Sequence, residues 1–502
     1  MTRAAALTLF LATAPLFAAD PAAELEARLQ KVIADASPSV VAVVVAHAKY
    51  PARFDEKGPG KLGQYEPALP PSGFRPALTA VPVDPLDLSD PANAGDHTFG
   101  AGLVLDAKAR LVLVPYHLVD GATKVFVRGS AGKGSYADVR AADARSDLAV
   151  LELIDPVPGL ASAKLGTVHL VDAPDGSKVN LKRGSFVVAV GHPLAAGLGD
   201  GSPSGSWGIL SNVRRRSAVA PGGSRDDERR RPLHASGNLL QTDARVALGA
   251  SGSAVLNLDG DVIGLASAVA AVSGSEVNGG YALPMDVNYR RIVATLAAGK
   301  EVEYGFLGVM PGSATAAGVG VAAVTDECPA KNVGVRPGDI IRSVDGHPLT
   351  SIDDLHLYVG AALAGSKATL SVQRGRETVT VTVVLAKNHN DMRFVASVRP
   401  PAVAGLRVDY SSVRYAQAVN RGNGAAVYAV PGVAVRELDA GSAAEKKFAD
   451  AGDISRWLIT RVDGKPVSTP AEFYAAANGK ASVKLTLSDI TAANHTMTVL
   501  LP

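Results

Sequence analysis

A histidine, an aspartate and a serine stand in this sequence in settings that suit nucleophilic catalysis. Ser251 lies in the glycine-rich turn GASGS, ahead of a predicted β-hairpin. His117 stands at the end of the apolar run LVLVPYHLV, and Asp147 begins another, DLAVLELI. A serine hydroxyl becomes a good nucleophile when a neighbouring base takes its proton, and a carboxylate can orient that base. These three residue types together predict an attack on an acyl group.

Each of the three residues also has an ordinary structural explanation. Serine and glycine are common in turns, Asp147 could be an edge carboxylate, and His117 is one of ten histidines. The order of the three residues along the chain favours the catalytic interpretation over the structural one, since histidine, aspartate and then serine is the order of chymotrypsin-fold proteases. The alternative hydrolase elbow, G-x-S-x-G, is excluded because position 253 is serine and a strand, rather than a helix, follows.

The elements that must position these residues are predominantly strands. After one amphipathic helix, AAELEARLQKVIADA, short apolar runs alternate with Gly, Asp and Pro turns from Thr98 to about Ala298. Such a pattern predicts an all-β barrel or sandwich. The last 200 residues contain an approximate repeat, marked by the turns VDGHP and VDGKP, which predicts two copies of a small α+β module. The segment AKNHNDMRFVASVRPPAVAG is the predicted linker between the copies.

Composition excludes several classes of protein. The 502 residues carry a formal charge of only +2, which gives no general attraction for nucleic acid. The single cysteine, Cys328, excludes an internal disulfide framework and a thiolate metal cluster. We find no closely spaced metal ligands and expect no metal and no cofactor. Residues 1–19 have the layout of a secretory signal peptide, and we expect no integral membrane segment after its removal.

The motifs taken together resemble the HtrA/Deg family of exported serine proteases. The resemblance covers nearly all of the chain and rests on segments in one order: SPSVVAVVV, FGAGLVLDAKARLVLVPYHLVDGA, DARSDLAVLEL, GSFVVAVGHP, GILSNV, QTDARVALGASGSAVLNLDGDVIGLASA and NGGYALPMDVNYRRIVATLAAGKEVEYGFLGV. It implies a mostly β fold, with a chymotrypsin-like double β-barrel followed by two small α+β PDZ-like domains. The expected bounds are a protease domain over 20–300 with an irregular Pro/Gly-rich loop over 51–97, a PDZ domain over 304–388 and a PDZ-like domain over 400–502.

The resemblance also implies roles for particular residues. It makes His117, Asp147 and Ser251 the catalytic triad, with the backbone N–H groups of Gly249 and Ser251 as the oxyanion hole. The strand Leu265, Ala266, Ser267 and Ala268 would pair with the substrate, and Tyr281 would lie near the primary pocket. The loop Phe306, Leu307 and Gly308 would receive a peptide carboxylate in the first PDZ domain.

The implied function is cleavage of unfolded or misfolded envelope proteins by an exported, periplasmic serine endopeptidase. Its expected partners are unfolded polypeptides, peptide C-termini and further copies of itself in a trimer-based homo-oligomer, without nucleic acid. The family sequence Gly-Asn-Ser-Gly-Gly-Pro is replaced here around Ser251, with Ala250, Ser253 and Ala254 as the differences. Because these differences touch the nucleophile loop, the alternative is a weak or inactive relative that serves as a peptide-binding chaperone or scaffold.

Overall fold

The computed structural model describes fourteen stretches of the chain. They are residues 20–47, 87–89, 98–129, 132–169, 180–192, 202–216, 232–246, 249–267, 280–326, 328–389, 392–414, 431–449, 452–492 and 494–502. The predicted signal peptide over 1–19 lies outside them, as does most of the predicted irregular loop over 51–97. None of the helices in these stretches is long and apolar enough to cross a membrane.

The first helix, α1 (Pro21–Ala36), begins where the Asp20 side chain accepts a hydrogen bond from the N–H of Ala22. Proline at the first helical position and a capping carboxylate before it both favour a helix start. Leu29 and Val32 on its apolar face are buried in the main hydrophobic core, as the helical spacing predicts. A short 3₁₀ turn, Ser37–Ser39, then leads directly into the first strand.

Six strands close the first barrel. They are β1 (Val40–His47), β2 (Thr98–Asp106), β3 (Leu111–Pro115), β4 (Ala122–Arg128), β5 (Gly134–Asp143) and β6 (Leu148–Leu153), with the single-turn helix α2 (Tyr116–Val119) after β3. The strand order is β5-β4-β1-β2-β3-β6, and β6 pairs back onto β5. Closure removes the exposed edges and leaves the ends of β3 and β5 at the same rim.

Six more strands close the second barrel. They are β7 (Phe186–Gly191), β8 (Ser204–Arg215), β9 (Leu239–Thr242), β10 (Ala254–Leu256), β11 (Val262–Ala266) and β12 (Gly280–Pro284). A 3₁₀ helix, Leu233–Ser236, precedes β9, and α3 (Val287–Ala297) follows β12. The Asp286 side chain caps α3 by accepting from the N–H groups of Asn288 and Tyr289. The predicted closing helix therefore lies where the sequence places it.

Two sheets with the same strand order follow the barrels. The first contains β14 (Val309–Thr315), β15 (Gly318–Val324), β16 (Ile340–Val344), β17 (His347–Pro348), β18 (Lys367–Arg374) and β19 (Glu377–Val384), with β13 (Gly305–Phe306) paired to β20 (Ala386–Lys387) and helices α4 (Pro329–Asn332) and α5 (Ile352–Gly360). The second contains β22 (Leu406–Tyr410), β23 (Val433–Leu438), β24 (Trp457–Val462), β25 (Lys465–Pro466), β26 (Val483–Asp489) and β27 (Thr496–Leu501), with helices α6 (Ala443–Phe448) and α7 (Pro470–Ala477).

Matching details in the two modules account for the sequence repeat. Asp345 and Asp463, in the two VDG turns, have φ values of 49° and 50°. In each turn the aspartate side chain accepts the N–H of a strand residue, Thr369 in one module and Lys484 in the other, at 2.7 Å and 2.8 Å. Aspartate tolerates this left-handed conformation when its side chain bonds locally. The predicted fold class, two β-barrels followed by two α+β modules, is confirmed.

The segment between the modules pairs with the first barrel and contributes to a buried cluster of charged side chains. Its strand β21 (Phe394–Ala396) pairs with the end of β5, extending the sheet of the first barrel. Near it, the buried Lys387 ammonium contacts the carboxylates of Glu301, Glu303 and Asp409 at 2.7, 3.0 and 2.9 Å. A buried charge needs such partners because desolvation is costly. The predicted linker thus fastens both modules to the protease region.

Candidate active site

His117 and Asp147 meet at the rim of the first barrel. His117 lies in the single turn of α2, directly after β3, and Asp147 ends the turn between β5 and β6. Nδ1 of His117 lies 3.0 Å from both carboxylate oxygens of Asp147, and the backbone N–H of His117 donates to Oδ1, also at 3.0 Å. The Asp147 carbonyl in turn accepts the N–H of Tyr116. These contacts fix Nδ1 as the protonated ring nitrogen and leave Nε2 as the acceptor.

Ser251 reaches this pair from the second barrel. Its Oγ lies 3.3 Å from Nε2 of His117, across 134 positions of sequence. The serine is buried, whereas the His117 side chain is 30% exposed, so the imidazole faces the solvent-accessible side of the contact. The structure therefore brings the three predicted residues into one continuous chain of hydrogen bonds.

Glycines allow the Ser251 loop to approach the first barrel. Gly249 and Gly252 have φ values of 79° and 92°, which disfavour any side chain. A Cβ at Gly252 would lie 1.8 Å from the carbonyl oxygen of Ala101. The Ser251 carbonyl accepts the N–H of Ala101 at 2.7 Å, so the loop is bonded directly to β2. This contact fixes the Ser251 loop relative to the barrel that carries His117.

Ser253, which replaces a family glycine, fits the loop without unusual dihedrals. It is not among the residues with positive φ. Its Oγ and its N–H both donate to the carbonyl of Ala250, at 2.6 Å and 2.9 Å. A Cβ at Gly191 would lie 1.7 Å from this hydroxyl, so Gly191 provides the space for it. Because a trans peptide directs C=O and N–H oppositely, holding the Ala250 carbonyl turns the Ser251 N–H away from Ser253.

Ser267 contributes a contact that the sequence did not reveal. Its Oγ donates to Oδ2 of Asp147 at 2.9 Å, although it was predicted only as part of the substrate strand. With the two donors from His117, the carboxylate has three hydrogen-bond donors. The available signal was a hydroxyl residue directly after β11, and its orientation toward the first barrel needed the fold.

The remaining substrate-strand residues differ from the prediction. Leu265 is fully buried and pairs with β10 on one side and β12 on the other. Ala266 is also buried, and its N–H and C=O bond to the carbonyl of Ser253 and the N–H of Gly252. Neither backbone is available to a peptide, because the second barrel and the nucleophile loop use their hydrogen-bonding groups. A substrate strand can begin no earlier than Ser267, and Ala268 lies outside the described residues.

Tyr281 lies beside this strand. Its carbonyl accepts the N–H of Ser267 at 2.9 Å, and its half-buried ring packs against the main core. Its contribution to the primary pocket stays a prediction.

A second histidine, His234, is buried next to the triad. It belongs to the 3₁₀ helix Leu233–Ser236. Burial lowers its pKa, with the Asp147 carboxylate acting in the opposite direction and His117 adding to the decrease. At neutral pH the imidazole of His234 is therefore uncharged and does not repel a proton on His117. No sequence pattern distinguishes His234 from the other nine histidines.

The predicted carboxylate loop precedes the edge strand of the first module. Phe306 pairs with β20, and the carbonyls of Leu307 and Gly308 accept N–H groups from Ala330 and Thr325. Gly308 has a φ of 86°, and a Cβ there would lie 2.1 Å from Sγ of Cys328. The adjoining β14 pairs only with β15, so its other edge remains open beside α5 within the described residues.

The corresponding edge in the second module has an internal partner. The N–H of Val408 on β22 donates to Oη of Tyr474, which lies on α7, at 3.2 Å. The neighbouring Asp409 carboxylate is held by Lys387. A peptide that pairs with β22 would have to displace the tyrosine.

The helix α5 also contacts the second barrel. Arg214, at the end of β8, forms an ion pair with Asp354 on α5 at 2.5 Å, and Arg216 pairs with Asp353. Burial tends to raise the pKa of Asp354, but hydrogen bonds from Arg214 and Thr350 outweigh burial and lower the pKa to about 2.

Within the described stretches, no group of three or more His, Cys, Asp or Glu side chains could hold a metal ion.

Comparisons with known proteins agree with this architecture. A trypsin-like peptidase domain matches residues 100–265, and a PDZ domain matches residues 305–385. The chain is 27% identical over 395 residues to the periplasmic serine endoprotease DegP of Salmonella typhimurium, covering 76% of this chain and 72% of the relative. It is 31% identical over 311 residues to the putative serine protease HhoA of Synechocystis, covering 58% of this chain and 71% of the relative. A solved HtrA-type protease, AlgW with a tripeptide, has 20% identity and a TM-score of 0.45 over 74% of this chain and 98% of that chain.

Proposed function

This chain belongs to the HtrA/Deg family of serine proteases, and we propose that it cleaves unfolded envelope proteins with His117, Asp147 and Ser251 as its catalytic triad. It is a serine-type endopeptidase of the periplasm. The observation that carries the triad is the continuous contact from the Asp147 carboxylate through the imidazole to Oγ of Ser251, at 3.0 Å and 3.3 Å.

The geometry supports the following roles for these residues in the reaction. Ser251 Oγ attacks the scissile carbonyl while Nε2 of His117 takes its proton, and the imidazolium later protonates the leaving amine. Asp147 holds the Nδ1–H tautomer and stabilises the positive ring. Water then repeats the attack on the acyl-enzyme and releases the second product. Ser267 restrains the carboxylate through its hydrogen bond to Oδ2.

The oxyanion hole is proposed to consist of the backbone N–H groups of Gly249 and Ser251. Removing one oxyanion donor costs on the order of 10²–10³ in turnover in serine proteases. The double hydrogen bond from Ser253 to the Ala250 carbonyl supports this arrangement, because it restrains the peptide that carries the Ser251 N–H. We propose that the Ser253 hydroxyl restrains the loop at the position where the family has glycine.

The PDZ region is proposed to select peptide segments. PDZ domains bind peptides by adding a strand to a sheet edge, with a terminal carboxylate held by backbone N–H groups. In the first module the proposed peptide site is the open edge of β14 together with the loop Phe306, Leu307 and Gly308. In the second module the Val408 to Tyr474 bond favours a structural role. The proposed substrates are unfolded polypeptides and peptide C-termini, and the proposed assembly is a trimer-based homo-oligomer.

The test is proteolysis by the purified mature protein and its Ser251→Ala variant. The wild type should degrade a permanently unfolded protein and leave its folded counterpart intact, and the variant should lose at least 10³-fold in rate. The competing candidate is an inactive chaperone or scaffold that uses the same cleft and modules. It would show no cleavage by either protein while both suppress aggregation of the unfolded substrate.

A further inference from the structure

The turn that carries Asp147 is held by a buried carboxylate, Asp143. Asp143 is 4% exposed, and its Oδ2 accepts the N–H and the Oγ–H of Ser146 at 2.8 Å and 2.6 Å. The hydroxyl of Tyr304 also donates to the same oxygen. Burial raises the pKa of the Asp143 carboxyl, whereas these three donors act to lower it. The carboxylate therefore depends on its donors to remain in place.

Tyr304 lies outside the two barrels in sequence. It stands between α3 and β13, one residue before the strand that opens the first PDZ module. The residue is 1% exposed, and the guanidinium of Arg145 lies over its ring with Cζ 4.5 Å from the centroid. Arg145 lies in the Asp147 turn and Asp143 is the last residue of β5, directly before it, so the tyrosine contacts the turn with its ring and the end of β5 with its hydroxyl.

The Asp147 turn needs this support because its backbone is unfavourable in isolation. Asp147 has a φ of 59°, a value that residues other than glycine rarely adopt. Such conformations persist where surrounding contacts fix them. Here the Arg145 carbonyl accepts the N–H of Leu233, and the Asp147 carbonyl accepts the N–H of Tyr116. Ser146, the residue directly before Asp147, is held by its bonds to Asp143 and by a side-chain hydrogen bond with Tyr304.

We propose that Tyr304 is a positioning residue for the reaction: its hydroxyl holds Asp143 against Ser146 and so fixes the Asp147 carboxylate against His117. The inference rests on the proposed triad. The hydroxyl contacts both Asp143 and Ser146, acts on Asp147 through them, and does not touch the reacting atoms. Catalysis in this chain then depends on a hydroxyl supplied from the entry to the PDZ module.

The test is Tyr304→Phe, which removes one oxygen and keeps the ring under Arg145. The substrate is a short internal peptide with an amidated C-terminus, which excludes an effect through carboxylate binding by the neighbouring PDZ loop. We expect kcat to fall about tenfold with KM within about twofold of wild type, because a hydrogen bond to Asp143 is lost away from the substrate. The rate of labelling by a serine-directed phosphonate should fall by the same factor.

The matched control is Tyr289→Phe. Tyr289 is as deeply buried in the same core, but its hydroxyl accepts from Nδ2 of Asn238 rather than bonding to the Asp147 turn. It should keep kcat within about twofold of wild type, since its hydroxyl has no bond to that turn. If Tyr304→Phe melts below the assay temperature, Ser146→Ala carries the same prediction, because it removes another donor from Asp143.

The outcomes separate the two proposals. Wild-type kcat in a folded Tyr304→Phe protein, with Ser251→Ala inactive, would overturn the positioning role and leave the triad intact. Equal losses in Tyr304→Phe and Tyr289→Phe would also overturn it, since the effect would then come from general core disruption. Full activity in Ser251→Ala would overturn both proposals together.

Discussion

The hydroxyl of Ser267 donates to the carboxylate of Asp147 over an Oγ–Oδ2 distance of 2.9 Å, which joins the end of β11 in the second barrel to the first barrel. Ser251 makes the other polar connection at this point, through its carbonyl to Ala101 and its Oγ to His117. The catalytic geometry is therefore shared between barrels. A small displacement of one barrel against the other would lengthen all three bonds.

Ser267→Ala should lower kcat about tenfold with little change in KM. The Asp147 carboxylate would lose one of its three donors and could rotate away from Nδ1 of His117. Steady-state kinetics on an amidated peptide measures both constants. Ser39→Ala is the control, because Ser39 is equally buried and its hydroxyl bonds to the Ala36 carbonyl, away from the triad. Similar losses in both variants would argue against a specific role for Ser267.

Ser253→Ala should lower kcat by about three- to tenfold, because the Ala250 carbonyl would lose one of its two donors. Ser253→Gly removes the same hydroxyl and also adds backbone freedom, so its loss should be at least as large. The ratio of kcat values among the three proteins is the measurement. An increase in kcat for Ser253→Gly would indicate that the family glycine, rather than this hydroxyl, gives the better loop.

Asp354→Asn should destabilise the protein at neutral pH and have little effect in acid. The folded-state pKa of Asp354 is lowered to about 2, below the usual unfolded value of about 3.9. The stability it contributes, about 2 kcal/mol, is present above pH 4 and is lost as the pH falls toward 2. We expect the midpoint of thermal unfolding to fall by roughly 2–4 °C at pH 7.

The matching control for Asp354 is Asp35→Asn. Asp35 forms an exposed pair with Lys31, and exposed pairs contribute little. The midpoint of thermal unfolding of Asp35→Asn should therefore equal that of wild type at every pH. If the difference in unfolding midpoint between Asp354→Asn and wild type stays constant from pH 7 down to pH 2, the assigned ion pair with Arg214 is contradicted.

Peptide binding should depend on the first module and not on the second. Gly308 and Gly405 occupy equivalent places, each directly before an edge strand, with φ values of 86° and 90°. An alanine Cβ at either site would meet a neighbour at 2.1 Å or 2.2 Å, so each substitution strains its own module. Gly308→Ala should weaken binding of a peptide with a free C-terminus at least tenfold, because the carboxylate loop would be displaced. Gly405→Ala should leave it unchanged.

Isothermal titration in the Ser251→Ala background measures this binding without cleavage. An amidated peptide should bind more weakly than the free acid. Loss of binding in Gly405→Ala with full binding in Gly308→Ala would assign the peptide site to the second module instead.

The sequence predicted the architecture and the chemistry because both leave local patterns. Short apolar runs between Gly, Asp and Pro turns predicted a barrel or a sandwich, a repeated VDG turn predicted the two modules, and the order of His117, Asp147 and Ser251 selected one triad type. The expected backbone pairing of Leu265 and Ala266 with a substrate is not available, because their backbone groups bond within the second barrel and the Ser251 loop, and strand register is determined only by the closed barrel.

Other features were hidden because they depend on contacts between distant segments. The bond from Ser267 to Asp147 spans 120 positions, and the bond from Tyr304 to Asp143 spans 161. The pairing of β21 with β5 was hidden for the same reason, since a three-residue strand in a proline-containing segment has the sequence of a linker. Chain order and side-chain type identify candidates, but they do not show which of them touch.

Covalent labelling by a serine-directed phosphonate, followed by peptide mass analysis, tests directly whether Ser251 is the nucleophile. We predict one adduct per chain, located on Ser251, formed at a rate that falls sharply in Asp147→Asn and His117→Ala. Ser251→Ala should take up no label while keeping the wild-type melting temperature. Labelling of another serine, or no labelling of a protein that still degrades unfolded substrate, would contradict the account.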